Sequence, residues 1–217
     1  MADLRRLLRE LEVLAGELPE FDPAAAPGTP SELFTEWLLM AVEAGVREPH
    51  AMTLSTAGAD GNPTARTLIL KGVGPEGWQF ASGGGSVKAR DLAVRPFAAL
   101  TFYWPQQARQ VRVRGTVVAA SRQDSAADFL ARGAGARTEA LLGRQSQPLA
   151  DLAERDTAVK ESLARLEREP DLVAPGWTLH TVQPESVEFW QGDQERRHTR
   201  LVYLREDAGW RRQLLWP

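Results

Sequence analysis

The segment from residue 188 to residue 203 reads EFWQGDQERRHTRLVY and gathers basic side chains beside an aromatic residue. Its bases are Arg196, Arg197, His198 and Arg200, and Trp190 precedes them. Two predicted strands flank this loop. A surface hairpin needs only a short turn, so the turn alone does not explain the cluster of bases. Arginine stacks on planar groups and also donates forked hydrogen bonds, so these residue types suit a planar, anionic ligand. A solvated surface loop is the simpler interpretation of this segment alone.

A glycine-rich loop offers a second set of donors for an anion. The residues GGGS at positions 83–86 lead into a predicted short helix whose first turns carry Lys88 and Arg90. Free backbone N–H groups, the positive end of the helix dipole and a lysine can together hold a phosphate. The alternative is a turn in which Ser86 only caps the helix.

Two further segments carry polar groups of the same kind. Arg66 and Lys71 flank the apolar strand RTLILK, and Gln145 and Ser146 lie in a polar loop before a predicted helix. Each segment alone is a weak signal, because basic residues at strand ends are usually solvated. Four such segments in a chain of net charge −3 favour a specific anion site.

Composition excludes several function classes. The chain has 217 residues and a formal charge of −3, which disfavours general attraction to nucleic acid or to anionic membranes. With no cysteine it has no disulfide, thiolate nucleophile or zinc–cysteine site, and its three histidines form no metal-binding motif. No apolar run is long enough for a membrane span. We expect a cytoplasmic protein without a metal.

Hydrophobic spacing predicts a chain rich in β-strands with helices at irregular positions. Helices are predicted over residues 3–16, from a capping box at Thr29 to about Ala44, after the glycine loop, and over 123–131 and 149–168. Period-two alternation predicts strands at AMTLST, TARTLILKGV, WQFAS, FAALTFYW, QVRVRGTVVAA, WTLHTVQPESVEFW and RLVYLRE.

Six or seven antiparallel strands of this kind favour a closed or half-closed barrel decorated with helices. Asp60 and Gly61 are expected to supply the positive φ angles of the tight turn between the first two strands. A Rossmann sheet is excluded, because neither the βαβ alternation nor a full G-x-G-x-x-G is present. We expect an N-terminal helix and linker over residues 1–28 and a single domain over 29–217.

From about residue 30 to residue 217 the chain closely resembles the pyridoxine/pyridoxamine 5′-phosphate oxidase family. The matching motifs are REPHAMTLST, RTLILK, GSVKA, RQVRVRG, GRQSQ and VEFWQGDQERRHTR, in the family's order. The resemblance implies a mainly β fold with helices (α+β), the antiparallel FMN-binding split β-barrel. It also implies a homodimer that holds FMN at the subunit interface, and the charge of the chain already disfavours a nucleic acid or membrane partner.

The resemblance implies a role for individual residues toward FMN. Arg66, Ser82 and Lys88 would hold the FMN phosphate, and Gln145 and Ser146 would join from the other subunit. The residues implied to line the flavin or address its ring are Thr67, Leu68, Ile69, Leu70, Lys71, Ala81, Gln110, Trp190 and Arg200.

The resemblance also implies a substrate site. Lys71 and Arg132 would bind the substrate phosphate. Arg196 and His198 would be the catalytic pair, lying over the pyridine ring and orienting C4′ against flavin N5. Asp128 and Ala136 would belong to the same substrate site, where the family usually has a tyrosine and a serine.

Other departures from the family pattern concern the cofactor and the N-terminus. Val87 replaces a usual second base for the FMN phosphate, which implies either a lower cofactor affinity or a replacement of that contact by Arg90. The family's N-terminal Arg-x-x-Tyr segment has no clear counterpart in residues 1–28.

The implied activity is oxidation of pyridoxamine or pyridoxine 5′-phosphate to pyridoxal 5′-phosphate, with O2 as acceptor and hydrogen peroxide as product. A related flavin oxidase of the phenazine-pathway type, acting on another planar ring, is the first alternative. Lys71 favours the vitamin substrate, whereas Asp128 and Ala136 favour the alternative. A non-catalytic FMN or pyridoxal phosphate binding protein is a third interpretation, and the Arg196/His198 pair argues against it.

Overall fold

The computed structural model describes residues 3–217. Six α-helices occur there: α1 Leu4–Glu10, α2 Pro30–Glu43, α3 Val87–Val94, α4 Arg122–Leu130, α5 Ala134–Leu141 and α6 Leu152–Arg168. The strands are β1 Ala51–Ala57, β2 Pro63–Ile69, β3 Gly72–Gly74, β4 Gly77–Gly83, β5 Phe97–Trp104, β6 Arg109–Ala119, β7 Trp177–Gln191, β8 Thr199–Glu206 and β9 Gly209–Leu214. Among these residues, no helix combines the length and apolar character needed to cross a lipid bilayer.

All nine strands belong to one sheet. Its order is β2-β1-β5-β6-β7-β4-β3, and β8 pairs with both β7 and β9. The pairs β3–β4, β4–β7, β7–β8 and β8–β9 are antiparallel. The predicted class, mainly β with helices, is therefore confirmed, and the chain has more strands than the six or seven expected.

One predicted strand is divided in two, and this affects the candidate site. The predicted strand over residues 64–73 falls in β2 and the short β3. Leu70 and Lys71 lie between these two strands and belong to neither. The backbone N–H of Lys71 still donates to the carbonyl of Gln79 at 2.8 Å. Lys71 is thus anchored at a bend between two strands rather than within one.

The chain divides into two compact units. The first contains residues up to Met52 together with Thr101–Val113 and Ser186–Pro217. The second contains Thr53–Leu100 and Arg114–Glu185. That residues 29–217 form one functional domain stays a prediction.

The core of the first unit is aromatic and is organised by α2. Thr29 caps this helix in a reciprocal capping box with Glu32, as predicted, and Pro30 occupies its first position. Trp37 on α2 packs edge-to-face on Phe189, with ring centroids 5.2 Å apart. This packing holds β7 at Phe189, shortly before the basic loop.

The first helix is shorter than predicted. The pattern over residues 3–16 predicts four turns, but α1 ends at Glu10 and buries no side chain. Leu14 and Gly16 take positive φ angles of 56° and 83°, which a helix excludes. Without a packed face, so short a helix gains little stability from its amphipathic pattern.

The turn between β1 and β2 also differs from the prediction. Of the pair Asp60-Gly61, only Gly61 has a positive φ angle, 78°. The side chain of Asp60 instead accepts the backbone N–H of Asn62 at 3.1 Å. The five-residue connection is thus stabilised by an aspartate turn, for which glycine supplies the left-handed position.

The second unit carries a helix that the sequence did not predict. Residues 134–141 form α5, although Gly133 and Gly135 made this stretch resemble a loop. Ser162 on α6 donates to the carbonyl of Thr138 at 2.8 Å, and both residues are buried. Packing against α6 therefore overrides the weak local propensity of α5.

Candidate active site

A large cavity lies within the second unit. Its volume is about 1020 Å³, and it is bordered by the end of β2, by β4, the glycine loop, α3, α5 and the polar loop after α5. Ten of the residues predicted to bind cofactor or substrate line it: Thr67, Leu68, Ile69, Lys71, Ala81, Ser82, Lys88, Arg132, Ala136 and Gln145. The fold thus brings together residues that are up to 78 positions apart, from Thr67 to Gln145 (145 − 67 = 78).

Lys88 is the buried cation of this cavity. Its side chain donates from Nζ to Oε1 of Gln145 at 3.1 Å, and the residue is only 4% exposed. Burial, aided by the nearby charge of Arg66, lowers the pKa of Lys88 to about 8. Within residues 3–217 no acidic side chain forms an ion pair with it. The contact with Gln145 lies within one chain, whereas the resemblance implied that Gln145 comes from the other subunit.

Arg66 lies close enough to this lysine to act on its charge, and it is held by side chains that were not predicted from the sequence. Its guanidinium donates to the hydroxyls of Thr56 and Thr64, both at 2.7 Å. The same hydroxyls donate to Oδ2 of Asp91, at 2.7 and 2.8 Å. Hydrogen bonding, first of all from Thr56, keeps the pKa of Asp91 low, so this carboxylate stays charged beneath Arg66.

The glycine loop adds hydroxyl and backbone groups. The hydroxyls of Ser82 and Ser86 lie 3.1 Å apart, and Ser86 caps α3 by accepting the N–H of Ala89 at 3.3 Å. A helix N-terminus, two hydroxyls and a buried lysine without an acidic partner form a donor set for a phosphate. The residues present therefore fit the phosphate of a bound FMN.

Lys71 and Asp128 form an ion pair near the same cavity. Nζ of Lys71 lies 3.5 Å from Oδ1 of Asp128. The indole Nε1 of Trp177 donates to Oδ2 of Asp128 at 2.8 Å. The carboxylate at this position is thus paired with Lys71.

Arg132 lies flat against an aromatic ring in this region. Its guanidinium carbon is 4.1 Å from the ring centroid of Trp177, and one terminal nitrogen donates to the carbonyl of Ala136 at 3.1 Å. Burial lowers the pKa of Arg132, while the charges of Asp128 and Glu139 act in the opposite direction. Its Nε atom has no hydrogen-bond partner among the residues described. Arg132 therefore keeps one buried N–H without a partner.

The basic loop of the first unit begins at a tightly packed glycine. Gly192 follows β7, and a Cβ there would come within 2.8 Å of the ring of Trp190. Before it, Gln191 accepts a hydrogen bond from Nε of Arg109 at 2.8 Å, and both side chains are buried. Arg109 was not singled out from the sequence, although it lies within the RQVRVRG motif. Through Gln191, Arg109 holds the start of the basic loop in place.

His198 and Arg196 are oriented by this loop. Nδ1 of His198 accepts the backbone N–H of Asp193 at 3.0 Å, so the proton of the neutral imidazole is on Nε2. The imidazole lies 5.1 Å from the ring of Trp190. Arg196 has a φ angle of 66°, a left-handed conformation that non-glycine residues rarely adopt. Such strain persists where the surrounding structure enforces it.

Arg200 is bound to an acid of the preceding strand. Its Nε donates to Oε1 of Glu188 at 2.9 Å, and Arg112 pairs with the second carboxylate oxygen. Burial tends to raise the pKa of Glu188, but hydrogen bonds from Arg200 and Arg112 outweigh it and lower the pKa. Arg200 is thus held as a permanent cation beside the loop.

The predicted site residues are divided between the two units. Gln110, Trp190, Arg196, His198 and Arg200 belong to the first unit, and all the others belong to the second. Leu70 is buried after β2, Gln110 is partly exposed on β6, and Ser146 has a φ angle of 70° in the polar loop. Their predicted contacts with the cofactor remain proposals.

Comparison with known proteins identifies the family. The family model described as pyridoxamine 5′-phosphate oxidase matches residues 38–163. A second one, the pyridoxine 5′-phosphate oxidase C-terminal dimerisation region, matches residues 177–217. Proteins named pyridoxine/pyridoxamine 5′-phosphate oxidase are similar over most of the chain. One from Rubrobacter xylanophilus is 42% identical over 87% of both chains, and one from Thermosynechococcus vestitus is 40% identical over 100% of this chain and 99% of its own.

Two solved structures share the fold. PhzG from Burkholderia lata 383, in complex with tetrahydrophenazine-1-carboxylic acid, has a TM-score of 0.86 and 26% identity, covering 93% of this chain and all of that one. A pyridoxamine 5′-phosphate oxidase-related, FMN binding protein from Nostoc punctiforme has a TM-score of 0.72 and 20% identity, covering 88% and 100%. Fold and site therefore define an oxidoreductase built on a split β-barrel, as expected. The chain belongs to the pyridoxine/pyridoxamine 5′-phosphate oxidase family.

Proposed function

We propose that this protein is an FMN-dependent oxidase that converts pyridoxamine 5′-phosphate or pyridoxine 5′-phosphate to pyridoxal 5′-phosphate. Oxygen is the acceptor and hydrogen peroxide the second product. The observation that carries the proposal is that Lys71, Lys88 and Arg132 line one cavity of the second unit, and that the charge of Arg66 acts on Lys88. These cations form two pairs, Lys88 with Arg66 and Lys71 with Arg132. One pair suits a cofactor phosphate, and the other suits the anion of a ring substrate.

The first pair would hold FMN. Lys88 and Arg66 supply charge, while Ser82, Ser86 and the N-terminus of α3 supply hydrogen-bond donors. Charge-assisted hydrogen bonds of this kind are about twice as strong as neutral ones. Bound FMN would supply the acceptor for the hydride that the substrate loses.

The second pair and the basic loop would bind and orient the substrate. Arg132 and Lys71 would bind its phosphate, and Arg196 and His198 would lie against its ring. His198 presents an N–H at Nε2, because Nδ1 is already occupied by Asp193. Positioning of this kind is the main contribution that a protein makes when the cofactor supplies the redox chemistry.

We also propose a homodimer with FMN held at the subunit interface. The match of residues 177–217 to a dimerisation region supports this assembly. That region includes β8, β9 and the whole basic loop, so dimerisation and the proposed catalytic residues share one segment. Light scattering on the holo-protein should give the mass of two chains, and a stable holo-monomer would contradict the interface site. A cytoplasmic location remains a prediction from composition.

The deciding experiment is anaerobic mixing of the purified, FMN-loaded protein with each vitamer phosphate. Rapid loss of the oxidised flavin absorbance, followed by recovery and peroxide formation on admitting oxygen, supports the proposal. Flavin that stays oxidised at saturating substrate rejects the vitamin substrate. Release of FAD in place of FMN on denaturation rejects the cofactor.

A second candidate is an oxidase for another planar ring. The similarity to PhzG, whose structure contains tetrahydrophenazine-1-carboxylic acid, favours it, as does the carboxylate of Asp128 beside Lys71. The same anaerobic experiment separates the two, because a reduced phenazine carboxylate would bleach the flavin where the vitamers do not. A carrier without catalysis would bind FMN and keep it oxidised with both substrates.

A further inference from the structure

The net positive charge at the Lys71 end of the cavity is too small to balance a phosphate. Lys71 and Arg132 contribute two positive charges, and Asp128 contributes one negative charge. Glu139 lines the same cavity and acts electrostatically on Arg132. A phosphate ester carries roughly 1.5 to 2 negative charges near neutral pH. The local positive charge is smaller than that.

Asp128 is fixed in this position. Its side chain is 13% exposed, and the indole Nε1 of Trp177 donates to one oxygen at 2.8 Å. The other oxygen faces the ammonium of Lys71 at 3.5 Å. A dianion that approaches Lys71 must therefore compete with a carboxylate that is already bound there. Repulsion by Asp128 grows with the charge of the ligand.

Arg132 is the cation of this region that forms no ion pair among the described residues. Trp177 supports its guanidinium from one side, and its Nε has no hydrogen-bond partner in the described part of the chain. A planar guanidinium forms a fork that matches a carboxylate. Arg132 without an ion pair and a neutralised Lys71 leave at most one positive charge, which Glu139 reduces further, so they match at most a single negative charge on the ligand.

We infer that Asp128 is a specificity-determining residue that shifts this end of the cavity from doubly charged anions toward singly charged ones, such as a ring carboxylate. The inference rests on the proposed function only in that this cavity binds the anionic group of a planar substrate. It deepens that proposal by naming the residue and the property of the substrate, its anionic charge, that is recognised. Asp128 lowers the affinity for the doubly charged vitamer phosphates without excluding them, and it favours a ring carboxylate.

Phenyl phosphate and benzoate are suitable probes, because they share one aromatic ring and differ in the charge of the anion. Dissociation constants are measured by isothermal titration calorimetry on FMN-loaded wild type and on Asp128→Asn, which keeps an acceptor for Trp177. The wild type should bind the two probes within about threefold of each other. Asp128→Asn should tighten phenyl phosphate about tenfold and benzoate about threefold, because repulsion is proportional to ligand charge.

Glu139→Gln is the matched control, since it removes a negative charge from the same cavity without touching Lys71. Its effect on the ratio of the two constants should be clearly smaller than that of Asp128→Asn. Asp128→Ser, checked by its melting temperature, replaces the asparagine variant if that one does not fold.

Equal tightening of both probes, or none, in a folded Asp128 variant would overturn the inference, as would a wild type that prefers phenyl phosphate by a hundredfold. The measurement does not depend on turnover. A protein that shows the charge selectivity but keeps its flavin oxidised with vitamer phosphates refutes the proposed function alone. One that oxidises them but shows no selectivity refutes the inference alone.

Discussion

Nζ of Lys88 lies 3.1 Å from Oε1 of Gln145, in a position where the lysine is only 4% exposed. Burial, aided by the charge of Arg66, disfavours the charged form, and the pKa of Lys88 falls to about 8. An anion that binds beside it must restore the proton. Cofactor binding and protonation of Lys88 are therefore linked.

The first prediction follows from this linkage. In the free protein Lys88 is mostly protonated at pH 7 and loses its proton as the pH rises through about 8. FMN affinity should be nearly constant up to pH 7.5 and then fall, approaching about tenfold per pH unit above pH 8.5. Quenching of flavin fluorescence measures the dissociation constant. Lys88→Arg should bind with little pH dependence over this range, and an identical profile in both proteins would refute the assignment.

A second prediction concerns Arg66, which Thr56 and Thr64 hold in place. Arg66→Ala should weaken FMN binding by about 10- to 100-fold, since a charge-assisted hydrogen bond contributes about 1.5–3 kcal/mol. The change also leaves Asp91 without its nearby cation. Arg95→Ala removes an exposed arginine that bonds only a loop carbonyl, and its FMN affinity should match wild type. Equal affinities in both variants would remove Arg66 from the cofactor site.

A third prediction separates cofactor binding from substrate orientation. Arg196→Asn retains a residue that tolerates the left-handed backbone, and His198→Asn retains an acceptor near the N–H of Asp193. Each should slow flavin reduction by substrate about 100-fold while the FMN dissociation constant stays the same. Arg197→Ala is the control, because Arg197 is 74% exposed and pairs with Glu195. Stopped-flow absorbance gives the rates, and loss of FMN from either loop variant would contradict the division of roles.

A fourth prediction concerns His180 on β7. It stacks on Phe80 with ring centroids 5.1 Å apart, and burial together with the charge of Lys88 lowers its pKa to about 4. The unfolded chain binds a proton at this residue near pH 6.5, whereas the folded chain does so only near pH 4. The free energy of unfolding should therefore fall as the pH decreases from about 6.5 to 4.

His180→Phe should make that fall less steep, because it removes the group that gains a proton on unfolding. Urea denaturation at several pH values between 4 and 7.5 measures the effect. His50→Gln changes an exposed histidine and serves as the control. A His180→Phe protein with the wild-type pH dependence would show that other groups cause the acid sensitivity.

The family motifs and most helix and strand types were predictable from the sequence. Thr29, Pro30 and Glu32 predict the start of α2 because a capping box is made by residues close in the chain. The candidate cofactor residues were predictable for a different reason, since motifs such as GSVKA and RTLILK resemble a known family. Local spacing alone left each of those segments open to a simpler interpretation.

Tertiary structure decided the features that depend on distant residues. α5 packs against α6, where Ser162 donates to the carbonyl of Thr138, and α1 stops early because no side chain of it is buried. The partner of Asp128 was equally beyond sequence reasoning. Lys71, 57 residues earlier (128 − 71 = 57), reaches it only because the chain bends after β2. Which acid a cation pairs with depends on the distance between them in the folded chain, and that distance is fixed only once the strands have paired.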